Sequence, residues 1–246
     1  MDKKEEEKGS LDNMKSFRQY FEEKCWKGYK QKGYKKKGKR TVPNCVKESI
    51  HKHNLGSLTV FDIDDTLFHT TARVGVIDRE GRKSKEISNS EFNTYPWKEG
   101  ERPDFSEFKD AKKFNRESTP IPSMVKKMIG ILSNVSKNPK SKVIIITARA
   151  DFDDKETFLD TFRKHGINID MVHVERAGNL KVSNTSIADK KAIIVRKYLN
   201  TNQFDVARLY DDAEGNIESF NDLQQEYPEV SFEGYLVDEQ GRARRV

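Results

Sequence analysis

From residue 57 onward the sequence predicts an α/β fold, a central parallel sheet with helices on both faces. Three observations carry this. Apolar runs rich in branched residues, at 58–61, 142–146 and 206–210, alternate with longer stretches at helical spacing. Each run stops at polar side chains with chemical capacity: Asp62, Asp64 and Asp65 after the first, Thr147 and Arg149 after the second, Asp211 and Asp212 after the third. The positive charge is segregated away from these segments. Residues 1–56 hold 16 basic and 8 acidic residues, whereas residues 57–246 hold 30 and 32.

Residues 1–56 read as a basic, largely disordered extension. The first twelve are charged and poor in apolar side chains. Met14, Phe17, Tyr20 and Phe21 fall at helical spacing, so a short amphipathic helix is expected over 13–24. Eight of the fourteen residues from Lys27 to Arg40 are basic, with Trp26, Tyr29 and Tyr34 interleaved and glycines at 28, 33 and 38. Cations and aromatics on a loose backbone suit phosphates and unstacked bases, and equally an acidic protein surface. Cys25 and Cys45 give no disulfide framework, and with His51 and His53 they lack the close pair of a structural zinc site. Free thiols in a reducing cytoplasm are the expectation, with no secretory signal and no membrane span.

The remaining elements follow in order. Residues 58–61 form the first buried strand. Residues 73–77 and 83–87 flank Asp78-Arg79-Glu80-Gly81 and predict a hairpin, the start of a small flap over roughly 70–119. Phe92, Tyr95, Trp97, Phe105, Phe108 and Phe114 are expected to anchor that flap on the core. A helix is expected from Pro120 to about Val135, a strand over 142–146, and a helix over 153–164 stopped by Gly166. Then come a strand over 170–174, a helix over 188–199, a strand over 206–210, a helix from 214 to about 227, and a last strand over 230–237 before a basic tip.

Asp62 and Asp64 are the informative pair. Unpaired buried carboxylates are costly, so side-by-side carboxylates at a strand end call for a counter-ion. They suit a hard divalent cation, or a nucleophile beside an acid/base. Lys190 and Lys191 open the helix after Asp189, where the macrodipole disfavours cations, and that oddity points to a function for one of them.

Val60-Phe61-Asp62-Ile63-Asp64-Asp65-Thr66-Leu67 resembles the first motif of the haloacid dehalogenase (HAD) superfamily. Thr147, Lys190 and the Asp211-Asp212 pair fall where the second, third and fourth motifs would, in order. The resemblance implies a Rossmann-like core with a minimal cap and the first strand central. It implies a Mg²⁺-dependent phosphatase in which Asp62 attacks phosphorus to form an aspartyl-phosphate. Asp64 would carry the proton. Asp62, Asp64 (through its backbone carbonyl), Asp211 and Asp212 would bind the metal, and Thr147, Lys190 and Arg149 would hold the phosphoryl group.

Thr147-Ala148-Arg149 and the light capping are similar to the phosphatase half of polynucleotide kinase-phosphatases, which implies a nucleic acid 3′-phosphate as substrate and Arg73 as a phosphate contact. No phosphate-binding loop of the kinase type is present. The stretch from Phe17 to Val46 resembles a segment recurring at the front of tailed-phage proteins, which implies a viral source and the host cytoplasm. Three readings stand: a nucleic-acid-end phosphatase, a phosphatase of nucleotides or other small metabolites with the extension as an address, and a non-enzymatic virion or assembly component.

Overall fold

Branched residues prefer extended backbone, and the apolar runs have become the inner strands of one sheet. The computed structural model describes residues 29–38, 40–47, 55–183 and 185–246. By contacts the chain divides into two compact units, Met1–Asn54 and Leu55–Val246.

In the first unit, β1 (Tyr29–Lys37) pairs antiparallel with β2 (Arg40–Lys47). The disorder expected here is corrected over these residues. Thr41, Val42 and Val46 favour extended chain, and Gly38, at φ +64°, supplies the left-handed residue a tight hairpin needs. A register shift falls between Gln31 and Tyr34, where Gly33 takes φ +75°. Cys45 is disulfide-bonded, which corrects the free-thiol expectation. The expected helix over 13–24, and Cys25, Trp26, His51 and His53, lie outside the described residues.

The second unit is built on a six-stranded sheet. In chain order, β3 (Gly56–Phe61) leads to β4 (Phe68–His69), β5 (Val74–Ile77), β6 (Lys83–Ile87), α1 (Asn89–Thr94) and β7 (Arg102–Asp104). Then follow α2 (Ala111–Glu117), β8 (Thr119–Pro120), α3 (Pro122–Val135), β9 (Lys142–Thr147), α4 (Lys155–Arg163) and β10 (His173–Arg176). The chain closes with α5 (Ile187–Leu199), β11 (Phe204–Asp211), α6 (Glu214–Asp222), β12 (Ser231–Val237) and β13 (Ala243–Arg245). The sheet order is β10-β9-β3-β11-β12-β13, parallel except for β13. This is the expected α/β class with its first strand central. The alternation of β3 divides the core. Phe61 packs with Val125, Met128, Phe158 and Phe162 from α3 and α4, whereas Leu58 and Val60 pack with Ile194, Val195, Ile217 and Phe220 from α5 and α6.

The flap differs from expectation in detail. Its hairpin β5–β6 gains a third strand, β7, against β5. Its two ends are pinned together, since β4 pairs with β8 and the Ile121 N–H donates to the Leu67 carbonyl at 2.9 Å. Of the six aromatics, Phe114 enters the main core. Phe92, Tyr95 and Phe108 pack into a small core of the flap's own with Val74, Val76 and Ile87, while Trp97 and Phe105 remain exposed. The strand expected over 170–174 starts at His173, because residues Ile169–Met171 close a 3₁₀ turn. The helix from 214 ends at Asp222 and continues as a 3₁₀ turn over Leu223–Gln225.

Candidate active site

The strands that carry the predicted motifs run parallel, so their carboxyl ends converge at one edge of the sheet, where open α/β sheets bind ligands. The Asp62 N–H donates to the Tyr210 carbonyl at 3.0 Å and extends the β3–β11 ladder by one residue. The Ile63 carbonyl then accepts from the N–H groups of Leu67 and Phe68 at 2.9 and 3.0 Å, so the chain turns back at once. Asp65 sits in that turn at φ +54°, a left-handed conformation that aspartate tolerates better than most residues.

Asp62 and Asp211 are both buried, and the Lys191 ammonium lies between them. Its Nζ donates to Asp62 Oδ1 at 2.8 Å and to Asp211 Oδ2 at 2.7 Å. Lys191, not Lys190, is thus brought to the carboxylates. Lys190 is half-buried and forms no ion pair among the described residues. The reason is helix register. Lys191 stands three, four and seven residues before the buried Ile194, Val195 and Tyr198, so it continues the inward stripe of α5. That spacing is visible in the sequence and was the signal to use. Burial disfavours the ammonium, but Asp211 and Asp62 outweigh it and hold Lys191 charged well above the usual lysine range.

Asp211 is held from its other side. Its Oδ1 accepts from the Ala213 N–H at 3.0 Å and from Asn216 Nδ2 at 2.8 Å. Asp212 is at the exposed rim, where the Thr66 hydroxyl donates to it at 3.3 Å. Neither Asn216 nor Thr66 was singled out from sequence. One carboxylate oxygen each from Asp62, Asp211 and Asp212 lie within 4.8 Å of one another. Desolvation, with the neighbouring carboxylates, raises Asp62 well above its ordinary value. Desolvation and then Asp211 push Asp212 up to about 7.

Asp64 faces the other way, toward the flap. Arg149 Nε and Nη2 donate to its two oxygens at 2.9 and 2.6 Å, and the Thr70 hydroxyl adds a third bond at 2.7 Å. Burial alone would raise this carboxyl, but Arg149 more than offsets that and holds it below the usual carboxylate range. The remaining arm of Arg149, Nη1, donates to the Phe108 carbonyl at 3.0 Å, and its Cζ lies 4.8 Å from the Phe114 ring centroid. Arg149 was expected to face a phosphate. Here it is buried with its whole fork engaged, and it clamps Asp64 between the sheet and the flap. Thr147 is fully buried at the tip of β9. Its Oγ1 accepts from the Arg149 N–H at 3.1 Å, which leaves its own proton to donate.

Arg73 is not brought to the carboxylates. Its N–H donates to Glu107 and its exposed guanidinium lies 3.9 Å from Glu91, both on the flap.

The donor set fits a hard cation by charge balance. With all four ionised, Asp62, Asp64, Asp211 and Asp212 would bring four negative charges against two positive ones from Lys191 and Arg149, and the raised Asp62 and Asp212 show that this state is unfavourable without a further cation. Two negative charges would remain at a largely desolvated site, and an oxygen-loving divalent ion is the economical neutraliser. Asp64's carboxylate is outside the three-residue cluster and already spoken for by Arg149.

No family model and no curated protein matches the chain. Among solved structures it is similar to the HAD domain of the effector protein Lem4 from Legionella pneumophila, with 17% identity over 74% of this chain and 85% of that one, at a TM-score of 0.39. At that level the likeness adds nothing to the site, and the reading below rests on residues. Among the described residues no helix is long and apolar enough to cross a membrane.

Proposed function

We propose that this chain is a HAD-type, Mg²⁺-dependent phosphomonoester hydrolase. The observation that carries the reading is the buried Lys191 bridge between Asp62 and Asp211, with Asp212 alongside, at the carboxyl ends of two adjacent parallel strands. A structural ion pair needs one carboxylate per lysine, whereas a phosphoryl-transfer site needs a nucleophile, a cation and a metal shell in one place.

In this reading Asp62 attacks phosphorus, the bond from phosphorus to the ester oxygen breaks, the leaving oxygen takes a proton from solvent, and an aspartyl-phosphate forms. Water then attacks that phosphorus, the acyl phosphate bond breaks and Asp62 is restored. Lys191 works against the desolvation that raises Asp62 and, with the Thr147 hydroxyl, faces the charge of the transferring group. Asp64 carries the proton. Held low by Arg149, it is in its basic form at neutral pH and is set to take a proton from the attacking water. A divalent cation held by Asp62, Asp211 and Asp212 would supply further neutralisation of the phosphoryl oxygens.

The finer reading is a nucleic acid 3′-phosphate as substrate, supported by the small flap and by the basic first unit. The test is a panel with Mg²⁺: an aryl phosphate, nucleoside 3′- and 5′-monophosphates, sugar phosphates, and an oligonucleotide with a 3′-phosphate. Release of phosphate that chelator and Asp62→Asn both abolish supports the hydrolase. Preference for the oligonucleotide supports the finer reading, and preference for a free metabolite replaces it. No release from any of them, with the protein folded, sinks the enzymatic reading in favour of an assembly role.

A further inference from the structure

Residues 29–47 contain eight basic residues and no acidic one. Folded as the β1–β2 ribbon they pair in a definite register: Tyr34 with Pro43, Lys35 with Val42, Lys36 with Thr41, and Lys37 with Arg40. Successive side chains of a strand point to opposite faces. One face therefore carries Lys35, Lys37 and Arg40 with Val42, and the other carries Lys36 and Tyr34 with Thr41 and Pro43. Lys32, Lys35, Lys36, Lys37 and Arg40 are all exposed, and none forms an ion pair among the described residues. Tyr34 is 69% exposed.

A two-stranded ribbon is at best marginally stable in water unless something covers it. Among its described side chains from Tyr34 to Pro43, cations outnumber apolar groups on the face of Lys35, Lys37 and Arg40, so hydrophobic packing is not the means by which that face docks. Its cations lie on both faces. A flat acidic surface or a single extended strand would meet the cations of one face and leave those of the other unanswered. A slot with negative walls on both sides neutralises both. The major groove of B-form DNA is such a slot: it is about 12 Å wide, is walled by two phosphate backbones, and admits a two-stranded ribbon. The deep, narrow major groove of duplex RNA does not admit side chains in this way.

We infer that the β1–β2 ribbon is a duplex-DNA anchor that inserts edgewise into the major groove, with Lys35, Lys37 and Arg40 facing one phosphate wall and Lys36 the other. Few of its groups can read base edges, since lysines dominate, so the contact is to the backbone and carries little sequence preference. The inference does not depend on the hydrolase reading, because it concerns binding and the two are measured separately.

The test uses the full chain and fluorescence anisotropy with three probes: a 20-base-pair blunt duplex DNA bearing only hydroxyl ends, its single strand, and polyglutamate. Hydroxyl ends keep phosphatase chemistry out of the readout. The duplex is expected to bind at least tenfold more tightly than either other probe at 100 mM salt. Each phosphate contact adds about 0.9 to the slope of log affinity against log salt on B-DNA. Removing three cations with K35Q/K37Q/R40Q should therefore lower that slope by about 2 to 3, and K36Q alone by about 1. All are exposed positions, so the comparison of probes on the unaltered protein stands even if a variant misfolds. Single strand or polyglutamate binding as tightly as duplex overturns the inference. So does a slope unmoved by K36Q while the triple variant abolishes binding, which would mean that the ribbon lies flat on one surface.

Discussion

In the pocket at the ends of β3 and β11, Lys191 is buried and reaches two carboxylates. In the ribbon, Lys36 is exposed and reaches none among the described residues. The two lysines are the same chemical group under opposite constraints. A buried charge must be answered inside the protein, so the pocket's cations and carboxylates define one another's positions. An exposed charge is answered by water and salt, so the ribbon's cations are free for an external partner. Pocket substitutions should therefore alter catalysis and stability, and ribbon substitutions should leave both stability and turnover of a small aryl phosphate unchanged.

The largest expected effect is on Asp62. Asp62→Asn keeps the shape and removes the attacking charge, so turnover of an aryl phosphate with Mg²⁺ should fall below detection while the fold persists. Near-normal turnover would place the nucleophile elsewhere. Asp64→Asn should cost about 10²–10⁴ in kcat, the usual worth of general acid–base transfer.

Next comes Lys191→Met. It leaves Asp62 and Asp211 buried without their cation, and breaking a buried pair in this way costs about 3–5 kcal/mol. Urea denaturation without metal checks it. Lys36→Met, the matched change in the ribbon, should stay within about 0.5 kcal/mol, as exposed substitutions do. Equal effects would collapse the comparison.

The pocket should also respond to pH and metal together. Asp62 and Asp212 are raised, Asp212 to about 7, so between an ordinary carboxylate's value and that range they keep protons in the folded state that the unfolded chain has already lost. Stability from this source is present at low pH and lost as pH rises through the folded values. Asp64 is lowered and works in the opposite sense, its contribution fading only as pH falls through the acid range. Without metal, the Tm contribution of the pocket should thus decline from pH 5.5 to pH 8. Mg²⁺ needs ionised ligands, so its stabilisation should grow over the same interval. A Mg²⁺-induced Tm shift that is the same at both pH values would speak against these carboxylates as ligands.

A smaller effect tests the Arg149 clamp. A Cβ on Gly178 would meet the Ala148 carbonyl oxygen at 2.3 Å and the Arg149 carbonyl carbon at 2.9 Å, both backbone atoms that cannot swing aside. Gly178→Ala should cost about 1–3 kcal/mol by overpacking and lower activity by displacing Arg149 from Asp64. The smallest effect expected in the pocket region is Lys190→Met, which should leave Mg²⁺-dependent turnover within about twofold of wild type, because this half-buried lysine forms no ion pair among the described residues.

The strand-end aspartates were legible because a buried branched run that stops at paired carboxylates has few physical outcomes, and the parallel order of the sheet then gathers those ends. The ribbon was not legible, since lysine-rich strands have no apolar alternation to reveal them. The spacing of Lys191 to Ile194, Val195 and Tyr198 puts it on the inward stripe, whereas a lysine near a helix start is an anomaly that Lys190 and Lys191 share and that does not separate them. Arg149 and Arg73 carry no such signal. The same guanidinium can face a ligand, a carboxylate or solvent, and only packing against Phe108 and Phe114 decides that Arg149 is spent on Asp64.

Sequence alone thus determined the α/β class, the order of the strands along the chain and the residues that end them, because these follow from local periodicity and from the cost of burying charge. Tertiary structure alone decided that Lys191 bridges Asp62 and Asp211, that Asn216 holds Asp211 and Thr66 meets Asp212, and that Arg149 points inward. Those are contacts between residues distant in sequence, among them Arg149 with Asp64 and Lys191 with Asp62, and no short-range pattern encodes which of several equivalent polar groups the folded core will bring together.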